Sequence, residues 1–352
     1  MQFHLRQRGR AATNFVATLG QVSGGLRQRV DAELDREGLT PERMADDLDE
    51  RVAQVDVALA ESRAYSVTSM LADWGSIHHG RIAHEAFEEV RSELQPQLQR
   101  LQHAGPACLY AHPERSLPDY FRDEWIHRTT GGWDGHTWQG FIHGELIHRQ
   151  YVAQTYPGDI FAQRREVFEE LPRQDYRRIV EFGTGTGHYT VQLAGTFPAA
   201  DFTGVDLSIR MLEQAQRVAN ELGLPWQLHQ VPAEQTGFES ESFDLATSYI
   251  LLHELPAVAV KGVFAEAFRL LEPGGDMLMI DVVRFAALDR RAEWRAYREA
   301  IHGGEPYWRE SASLDLAKVA HDAGFTAVRS HGRGARQYPW IVYGRKPQRD
   351  EA

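Results

Sequence analysis

Val180-Glu181-Phe182-Gly183-Thr184-Gly185-Thr186-Gly187 stands between a run that reads as a buried strand, Arg178 to Phe182, and a helix over about 187 to 196. Glycine at alternate positions lets the backbone turn sharply and approach a ligand closely, because no side chain stands in the way. The next strand, Asp201 to Asp206, ends on a carboxylate that can accept hydrogen bonds from two ribose hydroxyls. The turn and the acid together describe a nucleoside lying across strand ends.

Outward from this turn, strand and helix signals alternate. A helix is expected over 209 to 222, a strand over 225 to 231, and another from Phe243 to Tyr249. A helix over 257 to 271 and a strand from Met277 to Asp281 follow. Short apolar strands between amphipathic helices imply a parallel sheet covered on both faces.

The chain ahead of this region reads differently. From about 24 to 104 the pattern is helical, with Thr40-Pro41-Glu42 marking a start: a capping hydroxyl, a proline suited to the first turn and an acid that favours the helix dipole. Val55 to Leu71 and Ile82 to Leu101 carry apolar residues three and four apart, which suits bundle helices or a dimer surface. Gly105 to Pro118 is irregular. Residues 119 to 156 are rich in aromatics and histidines, among them Trp125, His127, Trp133, His136, Trp138, His143, His148 and Tyr151. Pro157-Gly158 disfavours a continuing helix and marks the boundary between a helical segment, 1–156, and an α/β domain, 157–352.

Composition narrows the classes. A chain of 352 residues with 42% hydrophobic and 25% charged side chains has room for a sizeable core. The net charge of -12 gives no electrostatic footprint for a phosphate backbone, so nucleic acid is not an expected partner. Cys108 is the single cysteine, which excludes an internal disulfide and a thiolate metal cluster. No secretory apolar region and no run of about 18 apolar residues is seen, so the expectation is a soluble, cytoplasmic protein without a membrane partner. Asp46-Asp47-Leu48-Asp49-Glu50 reads as a solvated helix face, and no Gly-x-Ser-x-Gly elbow supports acyl-enzyme chemistry.

From about 177 to 282 the sequence resembles the class I S-adenosylmethionine-dependent methyltransferases, particularly the ubiquinone/menaquinone-type small-molecule enzymes. Beside the glycine turn and Asp206-Leu207, the pair Ala233-Glu234, the opening Ser242-Phe243-Asp244 and the turn Leu271-Glu272-Pro273-Gly274-Gly275 follow that family's order. The resemblance implies a Rossmann-like, mainly parallel seven-stranded sheet with helices on both faces, its last strands near 326 to 330 and 338 to 345. It implies S-adenosyl-L-methionine as cofactor. Glu181 and the backbone from Gly183 through Thr184 and Gly185 to Gly187 would hold its methionine part. Asp206 and Leu207 would meet the ribose and Ala233 and Glu234 the adenine, with Ser248 in the same cofactor set. A nicotinamide-dependent dehydrogenase uses a similar turn, but it wants two residues between its second and third glycines and no acid just before the turn.

The loop after the fourth strand, Tyr249-Ile250-Leu251-Leu252-His253-Glu254-Leu255-Pro256, commonly carries two histidines in related enzymes; here the second is Glu254. His253 and Glu254 are the catalytic candidates, since a general base needs reach to the acceptor and a suitable pKa. Equally open is that His253 packs under the cofactor and Glu254 caps the next helix. His148, Arg149, Tyr151, Tyr307 and Arg309 are candidates for the substrate or lid side, or for ordinary packing. His127, His136, His143 and His148 with Glu145 have spacings that fit no single helix face. A lid or packed polar layer is expected there, and no metal site.

The resulting expectation is methyl transfer to a small-molecule acceptor, with a homodimer formed through the N-terminal helices. A protein that keeps the cofactor structurally, without transfer, and a protein-methylating enzyme remain alternatives.

Overall fold

A computed structural model describes residues 3–129, 131–153 and 159–349. Four helices open the chain: α1 (Gln7–Arg36), α2 (Leu48–Ala58), α3 (Arg63–Glu88) and α4 (Arg91–His103). α1 begins well before residue 24. Thr40-Pro41 does not start a helix: the Thr40 carbonyl closes a tight turn by accepting from Arg43 and Met44, and the next helix waits for Asp47, whose carboxylate caps Asp49 and Glu50. The apolar runs 55–71 and 82–101 each straddle a break, because Ser62 caps α3 and the helix restarts after Val90.

The sheet holds β1 (Cys108–Tyr110), β2 (Arg178–Phe182), β3 (Asp201–Asp206), β4 (Gln227–Gln230), β5 (Phe243–Tyr249), β6 (Leu271–Asp281), β7 (Thr326–Gly332) and β8 (Trp340–Arg345). Their order is β1-β4-β3-β2-β5-β6-β8-β7, and only β8 runs antiparallel to its neighbours. Seven of these are the expected strands. The eighth, β1, comes from the front segment and pairs in parallel with β4, Leu109 beside Leu228. β5 is buried along its whole length, as a central parallel strand covered on both faces should be.

Two apolar layers enclose the sheet. Val180, Phe182, Val260, Phe264 and Met277 belong to one, and Ile179, Leu193, Leu212, Trp226 and Leu278 to the other. The front helices have a separate core around Phe87, Leu98, Phe141 and Leu146. They are tied to a helix of the α/β region, Arg290–Gly303, whose arginines reach back to acids: Arg290 to Asp46, Arg291 to Asp35 and Arg295 to Asp31. The acidic stretch at Asp46 is therefore not simply a solvated face. Inside this contact Arg51, 1% exposed, bonds Glu293 at 2.7 Å. The boundary signal Pro157-Gly158 lies outside the described residues.

Candidate active site

The carboxyl ends of β2, β3 and β5 open into a cavity of about 610 Å³, roofed by α1, α3 and a π-helix, Ile142–Val152. The open α/β sheet puts its ligand site there, outside the strand ends.

Gly183 has a φ of 69°, and a side chain on it would run into Leu251 at 2.8 Å, so both the turn and the close approach require glycine. Gly185 donates its N–H to Asp206 Oδ2 and Ser208 donates to Oδ1, each at 2.8 Å, which fixes the Asp206 carboxylate over the turn. Burial pushes its pKa up to about 7 despite these bonds. Glu181, 2% exposed, accepts from Thr190 Oγ1 at 2.5 Å; burial raises its pKa to about 8.

The cavity wall includes Glu181, Gly183, Thr184, Gly185, Asp206, Leu207 and Ala233. Three other members of the expected cofactor set lie off it. Gly187 packs its backbone against Trp226. Ser248 is fully buried with its hydroxyl on Met279 Sδ, and Glu234 Oε1 accepts from Tyr120 OH at 2.7 Å.

His253 and Glu254 both face the cavity. His253 Nδ1 lies 3.2 Å from Asp281 Oδ1, and the ring meets Trp308 edge-on. Burial works against the charged ring, but Asp281 outweighs it and holds the pKa up to about 9. Glu254 pairs with His127 Nε2 at 3.3 Å, and His127 Nδ1 pairs with Glu305 at 2.6 Å. Burial again opposes charge, and the two carboxylates overcome it, so His127 titrates well above the ordinary histidine range.

On the opposite wall the wide turn of the π-helix puts His143 and His148 on one side, their rings 6.0 Å apart, although five residues fit no α-helical face. His148 contacts His188, the first residue of the helix after the glycine turn. Burial, with nearby cations, keeps His148 and His188 well below the usual pKa and therefore neutral. Beside them stands Arg164, 5% exposed, which donates to His148 Nε2 at 3.1 Å and lies over the rings of Phe161 and Tyr249. Its Nη1, His148 Nδ1 and His188 Nε2 are buried without a hydrogen-bond partner among the described residues. Such atoms carry a desolvation penalty unless a ligand meets them.

The remaining candidates separate. Tyr151 lines the cavity and stacks on His79. Arg149 pairs with Glu145 at 3.0 Å and sits over Phe161, off the cavity wall. Tyr307 packs edge-on to Tyr120. Arg309 binds both oxygens of Asp49, at 2.7 and 2.9 Å, so it fastens the front helices instead of facing the site. Of the four expected histidines, His127, His143 and His148 share the cavity wall, whereas His136 stands apart beside Glu88 and His84. Arg164 was missed because it belongs to no motif and stands between Gln163 and Arg165 in a polar run, whereas His127 was read only as part of a lid or packed polar layer.

The front segment also reaches the turn after β3. Ser208 Oγ donates to Asp134 Oδ1 at 2.6 Å, and the Asp134 carboxylate also accepts the Arg210 N–H.

The sheet order, the lone antiparallel strand and the glycine turn facing an acid at the end of β3 define a class I S-adenosylmethionine-dependent methyltransferase domain. Residues 179–275 match the methyltransferase domain family, so the chain carries a domain of that family, and S-adenosylmethionine is its cofactor. An uncharacterized methyltransferase of Synechocystis is 28% identical over 177 residues, 47% of this chain and 77% of the relative. The ubiquinone/menaquinone biosynthesis C-methyltransferase of Desulfotalea psychrophila is 31% identical over 104 residues, 30% of this chain and 41% of the relative. The chain spans roughly half the length of most other curated relatives it matches. A solved phosphoethanolamine N-methyltransferase 2 from Haemonchus contortus, in complex with S-adenosyl-L-methionine, covers 67% of this chain and 62% of its own at 18% identity, with a TM-score of 0.49.

Proposed function

We propose that the chain transfers the methyl group of S-adenosylmethionine to a small-molecule acceptor, with 157–352 holding the cofactor and 1–156 supplying the lid and the acceptor wall. The observation that carries this reading is the single cavity whose wall includes both the Glu181–Asp206 face and the His253-Glu254 loop. The cofactor fits the groups that await a partner. Asp206 would take the ribose hydroxyls and Ala233 would flank the adenine. Arg164, whose Nη1 has no partner among the described residues and whose Nη2 donates to the neutral His148, would take the methionine carboxylate.

When bound, S-adenosylmethionine supplies a methyl group already activated by positive sulfur. The chain's work is then to hold the acceptor in line and keep water out. The covering π-helix and the lid pinned at Ser208 serve that end. His253, charged by Asp281, acts as a hydrogen-bond donor at neutral pH. Glu254, which lines the cavity, would receive a proton from an acceptor that must lose one. The exposed apolar side chains Phe15, Val67, Met70 and Ile77 on α1 and α3 favour a homodimer through these helices. No described helix is long and apolar enough to cross a membrane. A single exposed thiol, Cys108, suits a reducing compartment such as the cytoplasm.

The test is calorimetric titration with adenosylhomocysteine. Wild-type protein should bind it, and Asp206→Ala should bind it at least tenfold more weakly, in keeping with loss of a charge-assisted bond worth about 1.5–3 kcal/mol. Equal affinities would remove Asp206 from the cofactor site.

A further inference from the structure

The cavity is longer than the glycine turn and the catalytic loop require. A second arm runs between α1 and α3, walled by Val16 and Leu19 on one helix and by Leu71, Ala72 and Gly75 on the other. Its polar groups are mostly turned back on their own helix. Thr68 Oγ1 donates to the Ala64 carbonyl at 2.7 Å, and His79 Nδ1 lies on the Ser76 carbonyl at 2.8 Å. Ser76 Oγ alone is buried there without a partner among the described residues. Charge enters at Arg27 and Glu299, which line the cavity, are about half exposed and neutralise each other at 3.1 Å. His302, paired with Asp73 at 2.8 Å, lines the cavity near Glu299, whereas Arg164, His127, His143, His148, His188 and the carboxylates of the catalytic loop line the rest of the cavity.

Gly75 stands out on this wall. It lies inside α3, where glycine costs roughly 1 kcal/mol relative to alanine, and it lines the cavity. Among the described residues a Cβ on Gly75 would meet nothing within 4 Å, as at Gly24, Gly25 and Gly195, but of these only Gly75 lines the cavity. The missing side chain leaves open space in the arm.

We propose that this arm is the acceptor's slot, that it takes the uncharged, apolar body of the acceptor, and that Gly75 sets its bore. The proposal rests on the methyl-transfer reading for the acceptor's role, but the arm's chemistry is a property of the cavity and is tested separately.

The probes are 4-n-alkylphenols from ethyl to hexyl, titrated calorimetrically into the full chain with and without adenosylhomocysteine. Affinity should rise about fourfold per methylene until the arm is full, as burial of a CH₂ dictates. Gly75→Leu, whose side chain enters open space, should lose at least tenfold affinity for the hexyl compound. Gly75→Ala should show a smaller loss, and as the better helix former it keeps the test alive if the leucine variant misfolds. Both variants should bind adenosylhomocysteine within twofold of wild type. An affinity independent of chain length, or hexyl binding unchanged in both Gly75 variants, overturns the proposal. Failure of wild type to bind adenosylhomocysteine overturns the cofactor reading instead, and the phenol series still decides the arm.

Discussion

His253 Nδ1 lies 3.2 Å from Asp281 Oδ1, and both side chains are almost wholly out of solvent. Asp281 also accepts the Leu252 N–H at 2.6 Å, so one carboxylate positions both the loop backbone and its imidazole. In Asp281→Asn the ring keeps its burial and loses its counter-charge. Its pKa should fall from about 9 to below the ordinary histidine value. Nitrogen NMR of labelled His253 reads this directly: protonated at pH 7.5 in wild type, neutral in the variant. A folded-state pKa above the unfolded one, about 6.5, adds stability that is fully present below pH 6.5 and lost as pH rises through about 9. Breaking the pair should cost about 3 kcal/mol at pH 6, measured by urea unfolding.

Among the described residues Arg164 pairs with no carboxylate, and its Nη1 is buried without a hydrogen-bond partner. Arg164→Met keeps much of the packing on Phe161 and removes the charge. Adenosylhomocysteine should bind ten- to hundredfold more weakly, whereas methylthioadenosine, which has no carboxylate, should lose little. Equal losses for both ligands would show that Arg164 supports the fold and not the methionine end.

Glu181 is a buried acid whose pKa is raised from about 4.5 to about 8. Because the folded value lies above the unfolded one, its favourable contribution is complete below pH 4.5 and disappears as pH rises through 8. Glu181→Gln removes that dependence and can keep an acceptor oxygen for Thr190. Relative to wild type, the melting temperature of the variant should rise between pH 6.5 and pH 9 without ligand, as scanning calorimetry would show. A constant difference across this range would mean that Glu181 does not titrate there.

The same physics applies to ligand affinity at Asp206, whose pKa is about 7 in the free protein. Ribose hydroxyls donate to the carboxylate form. Adenosylhomocysteine affinity should therefore be full above pH 8 and fall by about tenfold per unit below pH 6, the slope expected when one proton competes. A flat profile between pH 5.5 and 8 would place the ribose elsewhere.

His127, in the front segment proposed as a lid, pairs with Glu254 on one side and Glu305 on the other. His127→Gln should loosen the lid and accelerate adenosylhomocysteine dissociation about tenfold, equivalent to about 1.4 kcal/mol, in stopped-flow displacement. Unchanged release would make the clasp purely structural.

The α/β core was legible because its strands are short apolar runs bounded by glycines, acids and polar turns. Arg178 to Phe182 and Asp201 to Asp206 form the strands expected of them. β1 was not legible: Cys108-Leu109-Tyr110 is too short to carry a pattern and becomes a strand only by lying against β4. Likewise, the five-residue step from His143 to His148 acquires meaning only on a π-helix, which spacing rules for α-helices miss. The turn at Thr40 shows the converse, a cap-and-proline signal overridden by local hydrogen bonds. Glu181, Asp206 and His253 were named from motif position, and all three line the cavity. Arg164 and His127 owe their surroundings to segments distant in sequence.

Methyl transfer is tested most directly by incubating the full chain with methyl-labelled S-adenosylmethionine and a fractionated metabolite extract, following adenosylhomocysteine and label by mass spectrometry. The expected result is label in a small, largely apolar metabolite, formed in step with adenosylhomocysteine and lost in Asp206→Ala. Tight cofactor binding with no label transferred in any fraction would contradict the account and leave a protein that holds S-adenosylmethionine without using its methyl group.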